Sequence, residues 1–193
     1  NSERRAITTT ADHLHIAQSQ GYMKMENCEF SLGADDCINM HDCSIIMDRE
    51  SDETLLSVNT RNSYLYNEGE EIELRQDDFS PAGFTGKVIE KTLVDKERKI
   101  YRVRLDKPIP EMKGVYFVLF SKKYDTRNMI VRNCYFHDNR ARGVLILARD
   151  VTVENCRFFH NEMGAIKIET GFTGNRWCEG YRVENVDGSN STV

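Results

Sequence analysis

Short runs of alternating apolar and polar residues extend along most of the chain, and none has the spacing of an amphipathic helix. Three segments align within this pattern, namely residues 25–30 (MENCEF), 131–136 (VRNCYF) and 153–158 (VENCRF). Each is followed, after a turn that contains glycine, by two apolar positions: Ile38 and Met40, Val144 and Ile146, and Ile166 and Ile168. The chain therefore repeats a unit of two short strands.

The period of this repeat predicts the fold. Asn133 and Asn155 lie 22 residues apart. Short strands at such a period, without a leucine-dense motif, predict a right-handed parallel β-helix rather than a leucine-rich repeat. Equivalent residues of neighbouring rungs would stack about 4.8 Å apart. We therefore expect the asparagines to stack at a turn and two inward ladders to form: Cys28, Cys134 and Cys156, and Phe30, Phe136 and Phe158.

The repeat is interrupted between about Cys43 and Ser121, where five runs alternate with a period of two. Gly, Asp, Asn and Pro separate these runs, which is typical of antiparallel strands. Five or six such strands predict a small β-barrel or curled sheet inserted into the coil. The expected fold class is all-β, with the β-helix at 1–42 and 122–193 and the inserted domain at 43–121.

Three acidic residues are candidates for catalysis. Asp35 and Asp36 stand side by side just before an apolar run, where two carboxylates repel each other and lose hydration energy on burial. Aligning the first rung with the second places Asp12 over Asp36. Hydrolysis of a glycosidic bond needs one carboxyl group to protonate the leaving oxygen and one carboxylate to activate water. The three acids therefore predict a glycosidase site, provided that a distortion after Gly33 turns both neighbours to one face.

Two other interpretations of the acids stay open. In the first, Asp35 and Asp36 form a solvated surface turn and Asp12 caps another turn. In the second, the acids form a site for calcium or a transition metal together with three histidines: His13, His15 and His41. Each histidine also has an ordinary interpretation as an exposed or hydrogen-bonded side chain, so we expect neither a metal nor another cofactor.

Six further residues are candidates for binding the substrate: His41, Arg142, Lys167, Glu169, Trp177 and Glu179. Arg142 shares the repeat position of Asp36, so it either supports the acids and grips sugar hydroxyls or forms a structural ion pair. Lys167 and Glu169 flank an apolar strand position and can face the same cleft. Trp177, the only tryptophan, lies in a loop that breaks the repeat and can stack on a sugar or cover the end of the coil.

Composition narrows the classes of partner. With 31 acidic and 26 basic side chains the formal charge is −5, which gives no electrostatic reason to expect nucleic acid or an anionic membrane surface as a partner. No apolar run approaches the roughly 20 residues that a membrane-spanning helix needs. The six cysteines include no CxxC pair, so we expect buried free thiols rather than a zinc site or a disulfide framework.

Residues 8–16 (TTTADHLHI), 26–30 (ENCEF) and 33–41 (GADDCINMH) resemble glycoside hydrolase family 110. The resemblance covers most of the chain and implies a central portion of a longer enzyme, in which a β-barrel interrupts the β-helix. It implies a secreted or periplasmic, metal-independent and inverting exo-α-galactosidase. The implied substrate is a glycan with terminal α-1,3-linked galactose, including the blood-group B determinant. By position, Asp35 would be the general acid, and Asp12 and Asp36 would share the role of base.

Two alternative functions remain. Polygalacturonases combine a β-helix with a similar set of aspartates, although this sequence lacks the Gly-His-Gly and Arg-Ile-Lys elements expected there. A non-catalytic β-helix can also bind carbohydrate through the same acids. Convergence of the three aspartates in an open cleft favours catalysis, whereas divergence favours a binding module. Neither the linkage preference nor the oligomeric state follows from the sequence.

Overall fold

The computed structural model describes residues 6–58, 62–172 and 180–193, and nearly all of their regular structure is β-strand. In chain order the strands are β1 (Leu14–Ala17), β2 (Met23–Glu26), β3 (Glu29–Ser31), β4 (Ile38–His41), β5 (Ser44–Arg49), β6 (Thr54–Ser57), β7 (Glu71–Gln76), β8 (Pro81–Asp95), β9 (Ile100–Leu105), β10 (Phe117–Ser121), β11 (Arg127–Arg132), β12 (Tyr135–Asn139), β13 (Val144–Leu147), β14 (Arg149–Glu154), β15 (Arg157–Asn161), β16 (Ile166–Ile168), β17 (Gly171–Phe172), β18 (Gly180–Tyr181) and β19 (Val186–Ser189). A 3₁₀ turn at Ser63–Leu65 lies between β6 and β7. The described residues contain no helix long and apolar enough to cross a membrane.

The chain divides into two compact units. The first comprises Asn1–His41, Thr126–Glu169 and Arg182–Val193, and the second comprises Asp42–Asp125 and Thr170–Tyr181. These bounds differ from the predicted 1–42, 43–121 and 122–193 chiefly in the segment Thr170–Tyr181, which was expected in the coil. The physical reason is that β17 and β18 pair antiparallel with each other instead of continuing the parallel rungs.

The first unit is a coil of three parallel sheets, each built from one strand per rung. Their strand orders are β1-β4-β13-β16, β2-β11-β14-β19 and β3-β12-β15. In the first sheet Ile38 pairs with Leu14 and with Val144, which is the register that the repeat predicted. The predicted parallel β-helix is thus confirmed, and residues at one repeat position lie on neighbouring strands.

The interior of the coil contains the predicted ladders. The rings of Phe30, Phe136 and Phe158 stack with centroids 5.1 and 5.0 Å apart and nearly parallel planes. Cysteines form a second ladder beside them, and the five described cysteines are all free, as expected. Burial raises the pKa of Cys134 to about 11, so this thiol stays protonated at neutral pH. The ladders therefore supply apolar packing rather than reactive groups. Cys178 lies outside the described residues.

The asparagines of the repeat form a turn of the coil. Asn27, Asn133, Asn155 and Asn185 have φ angles of 57°, 54°, 51° and 53°. This left-handed region is costly for most side chains but tolerated by asparagine. The amide of Asn133 also donates to Oδ1 of Asn27 across 3.4 Å. The repeated asparagine is thus explained by a corner that each rung must turn.

The second unit contains a closed antiparallel barrel of six strands, in the order β10-β5-β6-β9-β8-β7. Its inward positions are apolar and fully buried, as at Ile45, Leu74 and Val103. The alternation of apolar and polar residues in this part of the chain reflects one buried and one solvated face of each strand. The predicted β-barrel insert is therefore confirmed.

We expect Phe136→Ala to lower the free energy of unfolding by about 3–5 kcal/mol, because the ring is fully buried between two others and its loss leaves a cavity. Chemical denaturation followed by circular dichroism measures this. Phe159→Ala is the matched control, since this ring is 58% exposed. Equal effects of the two substitutions would contradict the stacked core.

Candidate active site

The three aspartates converge. One carboxylate oxygen from each of Asp12, Asp35 and Asp36 lies within 4.8 Å of the others. Asp12 precedes β1 and the other two precede β4, and these strands pair in parallel. The backbone pairing continues into the preceding segment, where the amide of His13 donates to the carbonyl oxygen of Asp36 across 3.1 Å. The register of two rungs thus brings the acids together.

A bend before β4 turns both neighbouring acids to the same side. Strict strand alternation would send Asp35 and Asp36 to opposite faces, but neither residue is in a regular strand. The next rung holds the bend, because Asn139 Nδ2 donates to the carbonyl oxygen of Asp35 (2.6 Å) and Arg140 Nε donates to that of Ala34 (2.6 Å). The amide of Asp36 in turn donates to Oδ1 of Asp35 (3.0 Å). The distortion expected after Gly33 is therefore present.

Asp36 is the buried member, with 2% of its surface exposed. Arg142 Nη1 donates to both of its carboxylate oxygens, at 3.0 and 3.1 Å, and the amide of Arg142 donates to Oδ1 at 2.9 Å. Burial raises the pKa of Asp36, the contacts with Arg142 oppose that rise, and the nearby Asp12 carboxylate adds to it. Arg142 is thus in direct contact with the acid cluster, as both interpretations of this residue require.

Asp12 and Asp35 have different surroundings. Oδ2 of Asp12 accepts hydrogen bonds from His15 Nδ1 (2.9 Å) and Asn39 Nδ2 (3.1 Å), and its side chain is 9% exposed. Asp35 is the most exposed of the three acids. The site therefore combines two carboxylates held by donors with a third that is accessible to an entering molecule, which suits proton transfer to and from a substrate.

The histidines near the acids contact other groups. His13 Nε2 lies 3.0 Å from Thr8 Oγ1 and 3.1 Å from the carbonyl oxygen of Ser31. His15 Nε2 lies 2.7 Å from Nε2 of His41, and the two rings are nearly perpendicular. Within the described part of the chain, the group of close metal-ligating atoms at this place contains the aspartates alone. None of the three histidines belongs to that group.

Gly33 is required by the close packing of the bend. A Cβ atom at this position would lie 2.3 Å from Cε1 of His13 and 2.5 Å from Oδ1 of Asn139. Both are shorter than any ordinary contact, and Asn139 is the residue that holds the backbone of Asp35. A side chain at position 33 would therefore displace a group that shapes the site.

The other candidate residues are distributed as follows. Lys167 lies in β16 and Glu169 follows it, and the two form an ion pair of 2.7 Å with both side chains about half exposed. His41 is only 4% exposed. Trp177 and Glu179 lie outside the described residues. The structure therefore brings the acids, Arg142 and His41 together near β1 and β4, whereas Lys167 lies in β16, the fourth strand of that sheet, and Glu169 directly after it.

Sequence reasoning missed three residues of this site: His15 as a partner of an acid, Asn39 and Asn139. The signal for two of them was available, because the predicted register places His15 beside Asn39 on the outer face of adjacent strands. Nothing in the repeat indicated Asn139, since its contact is with a backbone carbonyl group in the bend.

We expect Gly33→Ala to lower the free energy of unfolding by about 1–3 kcal/mol, because the new methyl group overpacks the bend. Gly21→Ala is the control, since a Cβ there meets no atom within 4 Å. Urea denaturation of both variants makes the comparison. A Gly33 variant as stable as the Gly21 variant would contradict the packing described here.

Comparison with known proteins finds a sequence model that matches part of the chain and relatives that match nearly all of it. The sequence model described as "Right handed beta helix region" matches residues 114–191. The coil is accordingly a right-handed β-helix. The chain is 27% identical to Alpha-1,3-galactosidase A of Shewanella woodyi over 95% of its own length, and 26% identical to Alpha-1,3-galactosidase A of Bacteroides fragilis over 94%. It is 25% identical to Alpha-1,3-galactosidase B of Bacteroides thetaiotaomicron over 96%.

The chain spans 30% of the length of each of these relatives. The matches cover both the β-helix and the inserted barrel, since they extend over nearly all of the chain. The resemblance found in the sequence is thereby confirmed, and the relatives are glycosidases by name.

Proposed function

We propose that this chain, which is related over nearly all of its length to proteins named alpha-1,3-galactosidase, carries the catalytic acids of a glycoside hydrolase. The proposed reaction is the release of terminal α-1,3-linked galactose from a glycan by an exo-acting, inverting route. The observation that supports it is the convergence of Asp12, Asp35 and Asp36 on adjacent rungs. A buried core gains nothing from three neighbouring carboxyl groups, whereas hydrolysis of a glycoside requires such groups.

Asp35 is the proposed general acid. It is the most exposed of the three, so its carboxyl group can reach the oxygen of the leaving sugar. The raised pKa of Asp36 would by itself favour that residue as the acid. However, both oxygens of Asp36 are held by Arg142 and the side chain is buried. Asp36 is therefore proposed as the buried partner of the other two acids rather than as the group that meets the leaving oxygen.

Asp12 is the proposed base, with Asp36 beside it. In the reaction a water oxygen bonds to the anomeric carbon while its proton passes to the base. The glycosidic C–O bond breaks, and the leaving oxygen takes the proton of Asp35. Two neighbouring carboxylates can hold one water molecule between them. Arg142 holds both oxygens of Asp36, whereas His15 and Asn39 hold only Oδ2 of Asp12, so Oδ1 of Asp12 is the oxygen open to the water molecule.

The separation of the acids bears on the stereochemistry. Their nearest oxygens lie within 4.8 Å, whereas inverting glycosidases usually place the two carboxyl groups roughly 6.5–9.5 Å apart and retaining ones about 5–5.5 Å apart. Distance alone thus favours retention. We nevertheless propose inversion, which is the route that the resemblance to glycoside hydrolase family 110 implies.

We propose the residues that contact the substrate from their exposure and their location in the fold. Lys167 and Glu169 are about half exposed and lie in and directly after β16, a strand of the sheet whose strands β1 and β4 follow the acids, so we propose that they bind sugar hydroxyls. Trp177 and Glu179 remain candidates from the sequence alone. From the family resemblance alone, we also propose a secreted or periplasmic enzyme.

We expect Asp35→Asn to lower kcat by about 10²–10⁴-fold, because the amide cannot donate a proton to the leaving oxygen. The measurement is galactose release from α-1,3- and α-1,4-linked galactosides. Asp187→Asn is the control, since Asp187 is exposed on another sheet. Near-normal turnover by the Asp35 variant would refute its role. Binding of the galactosides without hydrolysis by the wild-type protein would favour a carbohydrate-binding module instead.

We expect β-galactose to appear first when an α-linked galactoside is hydrolysed, as inversion requires. Proton NMR of the anomeric signals, recorded before mutarotation, measures this directly. The first appearance of α-galactose would show retention. It would agree with the short separation of the acids and would make Asp12 or Asp36 a nucleophile.

A further inference from the structure

Asp12 stands at the end of a chain of hydrogen bonds that the reaction as proposed does not use. Oδ2 of Asp12 lies 2.9 Å from Nδ1 of His15, and Nε2 of His15 lies 2.7 Å from Nε2 of His41. Asn39 Nδ2 donates to the same oxygen of Asp12 across 3.1 Å. We call Asp12, His15 and His41 the imidazole chain.

The fold places the imidazole chain through strand register. His15 lies in β1 opposite Asn39, and His41 lies two residues further along β4 on the same face. Exposure to solvent falls along the imidazole chain from His15 to His41, since the side chain of His15 is 45% exposed and His41 is 4% exposed. The inner histidine is thus fixed by packing, while the outer one bridges it to the acid.

The distances define where the protons are. Two imidazole nitrogens 2.7 Å apart must share one proton, with one ring donating and the other accepting. A carboxylate can only accept, so His15 carries its proton on Nδ1. When His15 is neutral its Nε2 has no proton, and His41 must then donate from Nε2. The hydrogen bonds of the imidazole chain therefore select one tautomer for each neutral ring.

Both donors to Asp12 bind the same oxygen. His15 and Asn39 contact Oδ2, which leaves Oδ1 as the oxygen that can take a proton from water. Two donors on one oxygen also fix the rotation of the carboxylate group. A base must lie within hydrogen-bond reach of the proton that it removes, and small misplacements of a reacting group cost large factors in rate.

We propose that His15 is a positioning residue for the base Asp12 and that His41 holds His15 in the tautomer that this requires. This inference rests on the proposed function in one respect, the role of Asp12 as the base. It assigns His41 to the support of His15 rather than to direct contact with sugar, in keeping with its 4% exposure.

Three substitutions distinguish the hydrogen bond between His15 and Asp12 from the one between His15 and His41. His15→Ala removes both hydrogen bonds of the bridging ring. His15→Asn keeps an amide near the place of Nδ1, so it can still donate to Asp12 but cannot reach His41. His41→Gln keeps an amide near the place of Nε2. His160→Ala is the control, since the side chain of His160 is 72% exposed on another sheet.

We expect His15→Ala to lower kcat by about 10–10²-fold with little change in KM, because the base loses its orientation but the sugar contacts remain. His15→Asn should recover most of the loss, and His41→Gln should lower kcat measurably but less than His15→Ala does, because its amide only partly replaces the ring that holds His15. The His160 control should be unchanged. A loss confined to KM, or equal losses in His15→Ala and His15→Asn, would overturn the positioning role.

Nitrogen NMR of the histidine rings tests the arrangement without relying on activity. With both rings neutral, His15 should be protonated on Nδ1 and His41 on Nε2. The carboxyl carbon signal of Asp12 should shift in His15→Ala and not in His160→Ala. The opposite tautomers, or an unmoved carboxyl signal, would overturn the proposal. The expected spectra from a protein that hydrolyses no galactoside would support the hydrogen-bonded arrangement and refute the proposed function alone.

Discussion

The parallel register between the first two rungs is the constraint on which the site depends. It pairs Leu14 with Ile38 and carries Asp12 to the side of Asp36. Because side chains alternate along a strand, a slip of one residue would turn the inner positions outward and separate the acids. The apolar core of the coil resists such a slip, since Ile38 and Met40 are fully buried. Packing that has no chemical role therefore maintains the spacing of groups that have one.

Opposing electrostatic effects then distinguish the three acids. Burial of Asp36 disfavours its charged form, and three hydrogen bonds from Arg142 offset part of that desolvation cost. Asp12 receives two donors on a single oxygen, whereas Asp35 receives one donor from the backbone of its neighbour. Identical side chains thus acquire different surroundings within one compact cluster, as the proposed division into an acid and a base requires.

Most of the fold was predictable because a β-helix repeats its register. The spacing of the cysteines and phenylalanines indicated which residues stack, and the observed ladders follow it. The antiparallel pairing of β17 with β18 was not predictable, since there the chain leaves the repeat. In the site, the meeting of Asp12 with Asp36 followed from register, but the contact of His15 with Asp12 depends on the turn before β1. Side-chain rotamers in irregular backbone are not encoded in a periodic pattern.

The barrel has a consequence for how the coil is completed during folding. Asp12 and Asp36 belong to one continuous stretch, whereas Arg142 is 106 residues beyond Asp36. Joining them requires closure of a long loop, whose entropic cost rises by about 0.6 kcal/mol for each doubling of length. Within the barrel, however, Ser44 pairs with Phe120, so the insert enters and leaves on neighbouring strands. In the folded protein the separation along the chain therefore overstates the effective loop between the second and third rungs, because the paired strands β5 and β10 bring the two ends of the insert together.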